Sequence, residues 1–441
     1  MGCFARLALD AGFAPPTMTL MSPRRALVAV TVLAAALATV GGAPPAQALP
    51  AQICFPHTGP TNYVDTFGAP RVGHTHEGED LFTAKHTPII ATVDGTVYRY
   101  KTDSSGTSGR ALGIQGIDGW RYLYLHLDND TPGTDDGAAP VSAAFAPGLR
   151  VGATVLAGQV IGWSGDSGNA ETTTPHVHFE IRQPDNTPIN PYATLRAANR
   201  SCGRQRAVSV AVRPSGGYWV LTSTGHVAAF GGAPFLGEPN YGFDIARSIA
   251  AMPDGNGYVV LDGFGGLDRY GSAGNLPGGS PYWSGWDIAN DIDVGPDGRS
   301  YVVLDGWGGV HPVGSLALVA PRDPIYWQGW DIARDIEVTP NGLGWIVLDG
   351  WGGVHASGTA VLLNPVLRQL PFWPGWDVAR DIEVTGNGGA VALLDALGGI
   401  HHRGPGPNGP SMAQSPSPYV AMDTTPNHWA VVRADGLALG G

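Results

Sequence analysis

The chain is 441 residues long, with 14% charged residues, 65 glycines and 37 prolines. That length sets two or three domains, and the glycine- and proline-rich composition excludes helical bundles in favour of turn-rich, all-β structure. A formal charge of −12 at pH 7 excludes nucleic acid or other acidic polymers held by bulk electrostatics.

At the N-terminus, Arg24 and Arg25 precede an apolar run over 26–40, and Ala46-Gln47-Ala48 is a small-x-small cleavage site. This pattern reads as a secretion signal. The first twenty residues lack it, so residues 1–48 are read as a signal peptide with an upstream extension and Met21 as a candidate start. The apolar run is too short for a stable membrane span, and no later stretch looks transmembrane, so no integral membrane segment is expected after cleavage. The mature protein is expected to be secreted, outside the cell or in its wall. Cys3 leaves with the signal, and Cys54 and Cys202 remain at the two ends of the segment 49–204. In an oxidising compartment that even pair reads as a disulfide, against the alternative of two unrelated thiols.

Within 49–204, short apolar runs alternate with Gly/Pro/Asp turns. The runs at 88–92, 96–100, 121–126, 159–163 and 176–181 predict strands. The insert 128–147 predicts a polar loop bordering a groove, and no amphipathic helix is predicted. Three histidine motifs organise this segment: His76-Glu77-Gly78-Glu79-Asp80, Tyr124-Leu125-His126-Leu127, and Pro175-His176-Val177-His178-Phe179. A hydrolytic zinc centre wants about three protein ligands and an open position, with neighbouring groups to move protons and hold developing charge. Alternate residues on a strand share a face, so His176 and His178 can enter one site. His76, Asp80 and His178 can supply the ligands, leaving His126 and His176 for the proton work.

These motifs resemble the lysostaphin-type (LytM) zinc endopeptidases of bacterial peptidoglycan. The resemblance spans about residues 55–195 and extends to Phe67-Gly68-Ala69-Pro70-Arg71, Asp94-Gly95-Thr96-Val97, Gly158-Gln159-Val160-Ile161-Gly162 and Asn190-Pro191-Tyr192. It implies a LytM-type β-sheet peptidase domain with Zn2+ on His76, Asp80 and His178, and His126 and His176 as the catalytic pair. Two positions depart from the family pattern: His86 stands where glycine is more common, and Glu79 where an apolar residue is usual. His74 is out of register with Asp80 and is read as loop, and Glu180 is given no role.

From 205 onward the sequence repeats. Gly285-Trp286-Asp287-Ile288-Ala289 returns around Asp331 and Asp377 and, as Phe243-Asp244, earlier; these aspartates lie 43, 44 and 46 residues apart. Weaker copies at Tyr218 and Trp429 bring the count to about six. A period of 40–46 residues with several strands per unit predicts a β-propeller of about six blades over 205–441. Four short strands per blade are expected, with 207–212 closing the truncated last unit, in a domain folding separately from the peptidase. The recurring aromatics at 243, 286, 330 and 376 are read as packing between blades rather than as a sugar-binding surface. His311, His355 and His401 are placed on the axial channel, but the matching positions hold Asp268 and Ala228, so they are not read as metal ligands.

The resulting expectation is a secreted zinc metalloendopeptidase cutting amide bonds in peptidoglycan peptides. The repeats would serve targeting, through a wall polymer or protein partner. The alternative is a non-catalytic wall-binding adaptor or activator of another hydrolase. Such adaptors usually lack ligands, whereas all five motif positions are filled here.

Overall fold

The computed structural model describes residues 50–441, apart from 51, 201, 203–205, 320–324, 386–387, 406–411, 413–414 and 416. The signal-like segment at 1–48 lies outside the described residues. Among the described residues the structure is mostly β, and no helix is long and apolar enough to cross a membrane.

The peptidase-like segment is built on an antiparallel sheet. Its strands run Pro188–Ile189, His176–Arg182, Arg121–Leu127, Arg110–Gly116, Gly95–Lys101 and Thr154–Val155, with Glu79–Phe82 pairing a further part of His176–Arg182. Period-two alternation explains which face is buried. Val177, Phe179 and Ile181 pack with Tyr122, Tyr124, Leu81 and Ile89 in one core, and the intervening His176, His178 and Glu180 take the opposite face. The five predicted strands are present, while Arg110–Gly116, whose two glycines blur its apolar pattern, is an additional one. A six-residue helix, Tyr192–Ala197, also forms where none was predicted. Cys54 and Cys202 are joined by a disulfide across 148 residues. Tethering residues this far apart restricts the unfolded chain and contributes at most about 4–5 kcal/mol.

The insert at 128–147 does not line the groove. Asp128 and Asp130 are buried, and the Arg110 guanidinium donates to the carbonyls of Asp128, Ala139 and Pro140. Lys85 meets Asp130, Asp135 and Asp166 at 2.6, 2.7 and 2.9 Å. These bonds draw the insert onto the body of the domain.

Among the described residues the repeats form six units of three strands each, not four; five are separate sheets and the strands of the sixth continue the peptidase sheet. The first strands are Ala207–Val212, Ala246–Ala251, Ala289–Val294, Ala333–Val338, Ala379–Thr385 and Tyr419–Thr424. Ala207–Val212 pairs with Tyr218–Thr222 inside the first unit, so it does not complete the last one, which has three strands of its own. Consecutive first strands touch, and the sixth also touches the first. Together they line a central cavity of about 340 Å³.

His311, His355 and His401 are not on that cavity. They lie on third strands, each with Nε2 2.9–3.0 Å from its own unit's Asp305, Asp349 or Asp395 and an edge against Trp283, Trp327 or Trp373. The repeated aromatics also differ from expectation. Trp286 and Trp330 meet Trp307 and Trp351 of the same unit edge to face at 5.0 Å. They remain 45% and 44% exposed, and Trp376 55%.

The two regions share structure. Ala438 in the last unit pairs with Thr154, extending the peptidase sheet into that unit. Leu437 and Leu439 enter the peptidase core, while Leu156 enters the core of the first and last units. A domain folding separately from the peptidase was expected; apolar residues of the last unit are instead buried in the peptidase core.

His226 forms a further link, with its two ring nitrogens each 2.7 Å from a carboxylate, Asp94 of the peptidase segment and Glu238 of the repeats. Burial opposes a charge on this ring, but the bonds to Asp94 and Glu238 outweigh it and raise its pKa to about 10. A folded value above the unfolded value of about 6.5 stabilises fully below that lower pH and fades as pH rises through about 10. His226→Gln is therefore expected to lower the melting temperature most at pH 6, with the gap from wild type closing towards pH 10. Thermal melts across that range check it, and a gap that widened with pH would contradict it.

Candidate metal centre

The centre is assembled by the strand His176–Arg182 and its neighbour Glu79–Phe82, whose register sets His178 opposite Asp80. His76 enters from the preceding turn. Gly78 permits that turn, because a Cβ there would lie 2.4 Å from the carbonyl oxygen of Phe179 and 2.8 Å from His178 Nε2. His76 Nε2, His178 Nδ1 and Asp80 Oδ1 converge, at separations of 2.9, 3.0 and 3.0 Å. These are the three sequence-predicted ligands, in one group.

The backing bonds fix which nitrogen faces inward. His76 Nδ1 lies 3.1 Å from the Thr66 carbonyl, an acceptor, so Nδ1 carries the hydrogen and Nε2 presents a lone pair. Thr66 is tied in turn to buried Glu79, which accepts from its backbone N–H and its hydroxyl. That contact accounts for a carboxylate where an apolar residue was expected. On the other side His178 Nε2 lies 3.1 Å from Glu180 Oε1, directing Nδ1 towards Asp80. Glu180 is itself held by Arg182, which also reaches Glu77. Arg71 lies 3.3 Å from the outer oxygen of Asp80.

Two imidazole lone pairs and a carboxylate facing one point, with no hydrogen between them, fit a cation. Zinc bonds of about 2.0–2.2 Å to nitrogen and oxygen match this donor set. Without a metal, a proton must take its place. Burial works against charge on His178, yet its bonds to Asp80 and Glu180 prevail and raise its pKa to about 9. Burial likewise opposes ionisation of Asp80, but bonds from His178 and His76 hold its pKa well below the carboxylate range.

His126 and His176 stand beside the triad, with ring centres 5.0 Å apart, and line the same cleft. Strand alternation would send His126 to the core face with Tyr122 and Tyr124; its φ of +62° turns it to the cleft instead. His126 Nδ1 donates to the Ser167 carbonyl at 2.9 Å and His176 Nδ1 to the Thr174 carbonyl at 2.8 Å, leaving both Nε2 atoms as acceptors. Burial, reinforced by neighbouring His176, lowers the His126 pKa to about 4. Burial lowers that of His176 as well. Both rings are thus neutral at pH 7.

His74 sits in a short hairpin at the rim, bonded to the Val72 carbonyl and outside the donor group. His86 has φ +59°, the left-handed conformation that favours glycine, and its Nδ1 is 2.6 Å from Asp128. Glu180, Arg182 and Thr66 were not assigned from sequence. The spacing 176, 178, 180, 182 carried the signal for the first two, since all four share a strand face.

Fold and site together define a β-sheet protein whose two histidines and one aspartate form a donor group that could hold a cation. Peptidase family M23 matches residues 74–191, and that segment is an M23 domain of the lysostaphin/LytM type. The chain is similar to the glycyl-glycine endopeptidase ALE-1 of Staphylococcus capitis, 32% identical over 130 residues, covering 29% of this chain and 30% of that protein. It is also similar to the L-Ala–D-Glu endopeptidase of Bacillus subtilis (strain 168), 30% identical over 142 residues, covering 30% and 37%. The solved catalytic domain of the antimicrobial peptidase lysostaphin from Staphylococcus simulans is 27% identical, covering 31% of this chain and 92% of that one, with a TM-score of 0.25. The chain thus spans about a third of the length of these curated relatives.

Removing a carboxylate that orients a ligand histidine typically costs 10–100-fold in metal affinity. Glu180→Gln is expected to weaken zinc binding by about that factor while retaining the fold. Competition with a chromogenic chelator measures it; unchanged affinity would show that Glu180 does not orient His178.

Proposed function

We propose that residues 49–204 are a zinc-dependent endopeptidase domain that hydrolyses amide bonds in the peptides of peptidoglycan, acting outside the membrane. The observation that carries this reading is the joining of three convergent donors to two neutral histidines in one cleft. Zinc held by His76, Asp80 and His178 would supply Lewis acidity and make an attacking water acidic near neutral pH.

The chain's own residues supply the remaining chemistry. Asp80 balances part of the cation's charge, and Thr66 and Glu180 hold the histidine lone pairs inward. Either His126 or His176 can accept the water's proton at Nε2, because the Ser167 and Thr174 carbonyls hold the other nitrogen protonated. The ring that takes the proton becomes a donor towards the carbonyl oxygen that gains charge. A non-catalytic adaptor needs none of this poise, and the filled motif positions favour the enzyme.

For residues 205–441 we propose a six-bladed β-propeller that retains the enzyme on a wall polymer or protein partner. The six three-stranded units and the contact between the first strands of the last and first support this reading.

Full-length protein is expected to bind one zinc and to release fragments from defined muropeptides. His178→Ala should lose most of the metal. His126→Ala should keep it and lose about 10²–10⁴-fold in turnover. Metal analysis with chromatography of the digests checks this; activity surviving in both variants would exclude the assignment.

Retention is tested in the intact chain, since the shared core makes a truncation ambiguous. Replacing Trp286, Trp330 and Trp376 by alanine is expected to reduce binding to intact wall with unchanged hydrolysis of soluble muropeptides. Unaltered retention would exclude these rings as the contact.

A further inference from the structure

The turn at residues 84–87 joins Glu79–Phe82, the strand of Asp80, to Pro88–Ile90. Within it His86 has φ +59°, a backbone conformation that disfavours any residue with a Cβ. A histidine kept there against that preference marks a demand beyond turning the chain. Its ring makes one polar contact among the described residues. Nδ1 lies 2.6 Å from Oδ2 of Asp128, a fully buried carboxylate, and Nε2 is buried without a partner.

Asp128 is two residues beyond His126. The neighbouring Lys85 reaches Asp130 at 2.6 Å and Asp166 at 2.9 Å, both buried. Lys85 and His86 thus grip two segments, 126–130 and 164–167. The backbone of the turn also holds the second of these. The His86 amide donates to the Ser164 carbonyl at 2.9 Å and the Thr87 amide to the Ser164 hydroxyl at 3.0 Å, and that hydroxyl donates to the Ala84 carbonyl at 2.7 Å.

Segment 164–167 in turn is bonded to both histidines that stand beside the triad. The Gly165 amide donates to the His126 carbonyl at 3.2 Å, and the Gly165 carbonyl accepts from the His176 amide at 3.1 Å. The Ser167 carbonyl accepts from His126 Nδ1 at 2.9 Å, and the Ser167 hydroxyl donates to the Leu127 carbonyl at 2.6 Å. The two segments touch, since a Cβ on Gly165 would lie 2.4 Å from the Asp128 Cα. Packing this close passes a shift of one segment to the other. His126 itself has φ +62°, so its backbone keeps that orientation only while the surroundings impose it.

We propose that Lys85, His86 and Asp128 are positioning residues for His126 and His176. His86 fixes the chain just beyond His126 through Asp128, and Lys85 ties that chain to the segment whose carbonyl sets the His126 tautomer. None of the three lines the cleft, so their effect falls on the placement of the two rings. The inference rests on the peptidase reading and deepens it.

The test compares full-length, zinc-loaded wild type with His86→Gly and with His86→Gly/Asp128→Asn. Glycine suits the backbone at 86. Asparagine keeps an oxygen for the Asp130 amide, which donates to Asp128 Oδ1 at 3.1 Å, and leaves no buried charge unpaired. Misplacing a reacting group by about 1 Å costs about 10²-fold, so kcat on soluble muropeptides is expected to fall about ten- to a hundredfold, with KM and bound zinc unchanged. The NMR resonance of the His126 Nδ1 hydrogen should shift and exchange faster with water. His226→Gln, which loosens the fold away from the cleft, should keep the wild-type kcat and resonance. A wild-type kcat or an unchanged His126 resonance in both variants would overturn the inference, as would an equal loss of kcat in His226→Gln. A wild type that releases no fragments would instead remove the peptidase reading, and the His126 resonance alone would then decide whether these residues hold the ring.

Discussion

Two imidazole lone pairs and an aspartate oxygen meet within about 3 Å of one another, and the surrounding structure is arranged to keep them there. Lone pairs turned towards each other in a buried place repel unless a cation or proton sits between them. Each backing contact works against the rings rotating away. The Thr66 carbonyl holds His76, Glu180 holds His178, and Arg182 keeps Glu180 charged and in place. Gly78 lets the chain pass close enough to the Phe179 carbonyl for the donors to meet at all. Burial leaves His126 and His176 neutral, while the Ser167 and Thr174 carbonyls fix which nitrogen keeps its hydrogen.

The triad was legible in sequence because it depends on spacing: H-x-x-x-D puts His76 near Asp80, and H-x-H puts two rings on one strand face. His126 was legible only by resemblance. Its face cannot be read from alternation, since a positive φ reverses the parity of the strand. Glu180 was given no role, although an unbroken alternation puts it on the face of His176 and His178. In the repeats, Asp335 and Glu337 alternate with Ile336 and Val338, and these acids line the cavity between the units. Repeat count and period were plain from sequence, and the number of strands per unit was not: units of 40–46 residues leave room for a fourth strand that the chain instead spends on loops and short 3₁₀ turns.

The two halves solve the burial of charge in different ways. In the peptidase centre, few groups are held in fixed orientations by bonds from outside the cluster. Along the repeats, many carboxylates accept amide hydrogens from the next unit, which has no strand pairing to its neighbour at that point. The acids therefore stand in for backbone ladders between units, and their mutual repulsion is the cost of that role.

The peptidase segment bears directly on the weakest point of this arrangement. Consecutive units are joined by the chain itself, but the last and first are not, so the set would open there first. Contacts from the peptidase segment fall on those two units. Thr154 pairs with Ala438 of the last unit and lies 3.2 Å from the Tyr218 hydroxyl of the first, and Asp94 reaches His226 of the first. Leu156 is buried among residues of both units. The peptidase sheet thus spans the one junction that lacks a covalent connection, and the Val212 to Asp423 bond crosses it from within. Opening the repeats would require stripping Leu437 and Leu439 from the peptidase core, so the stability of each half is coupled to that of the other through this junction.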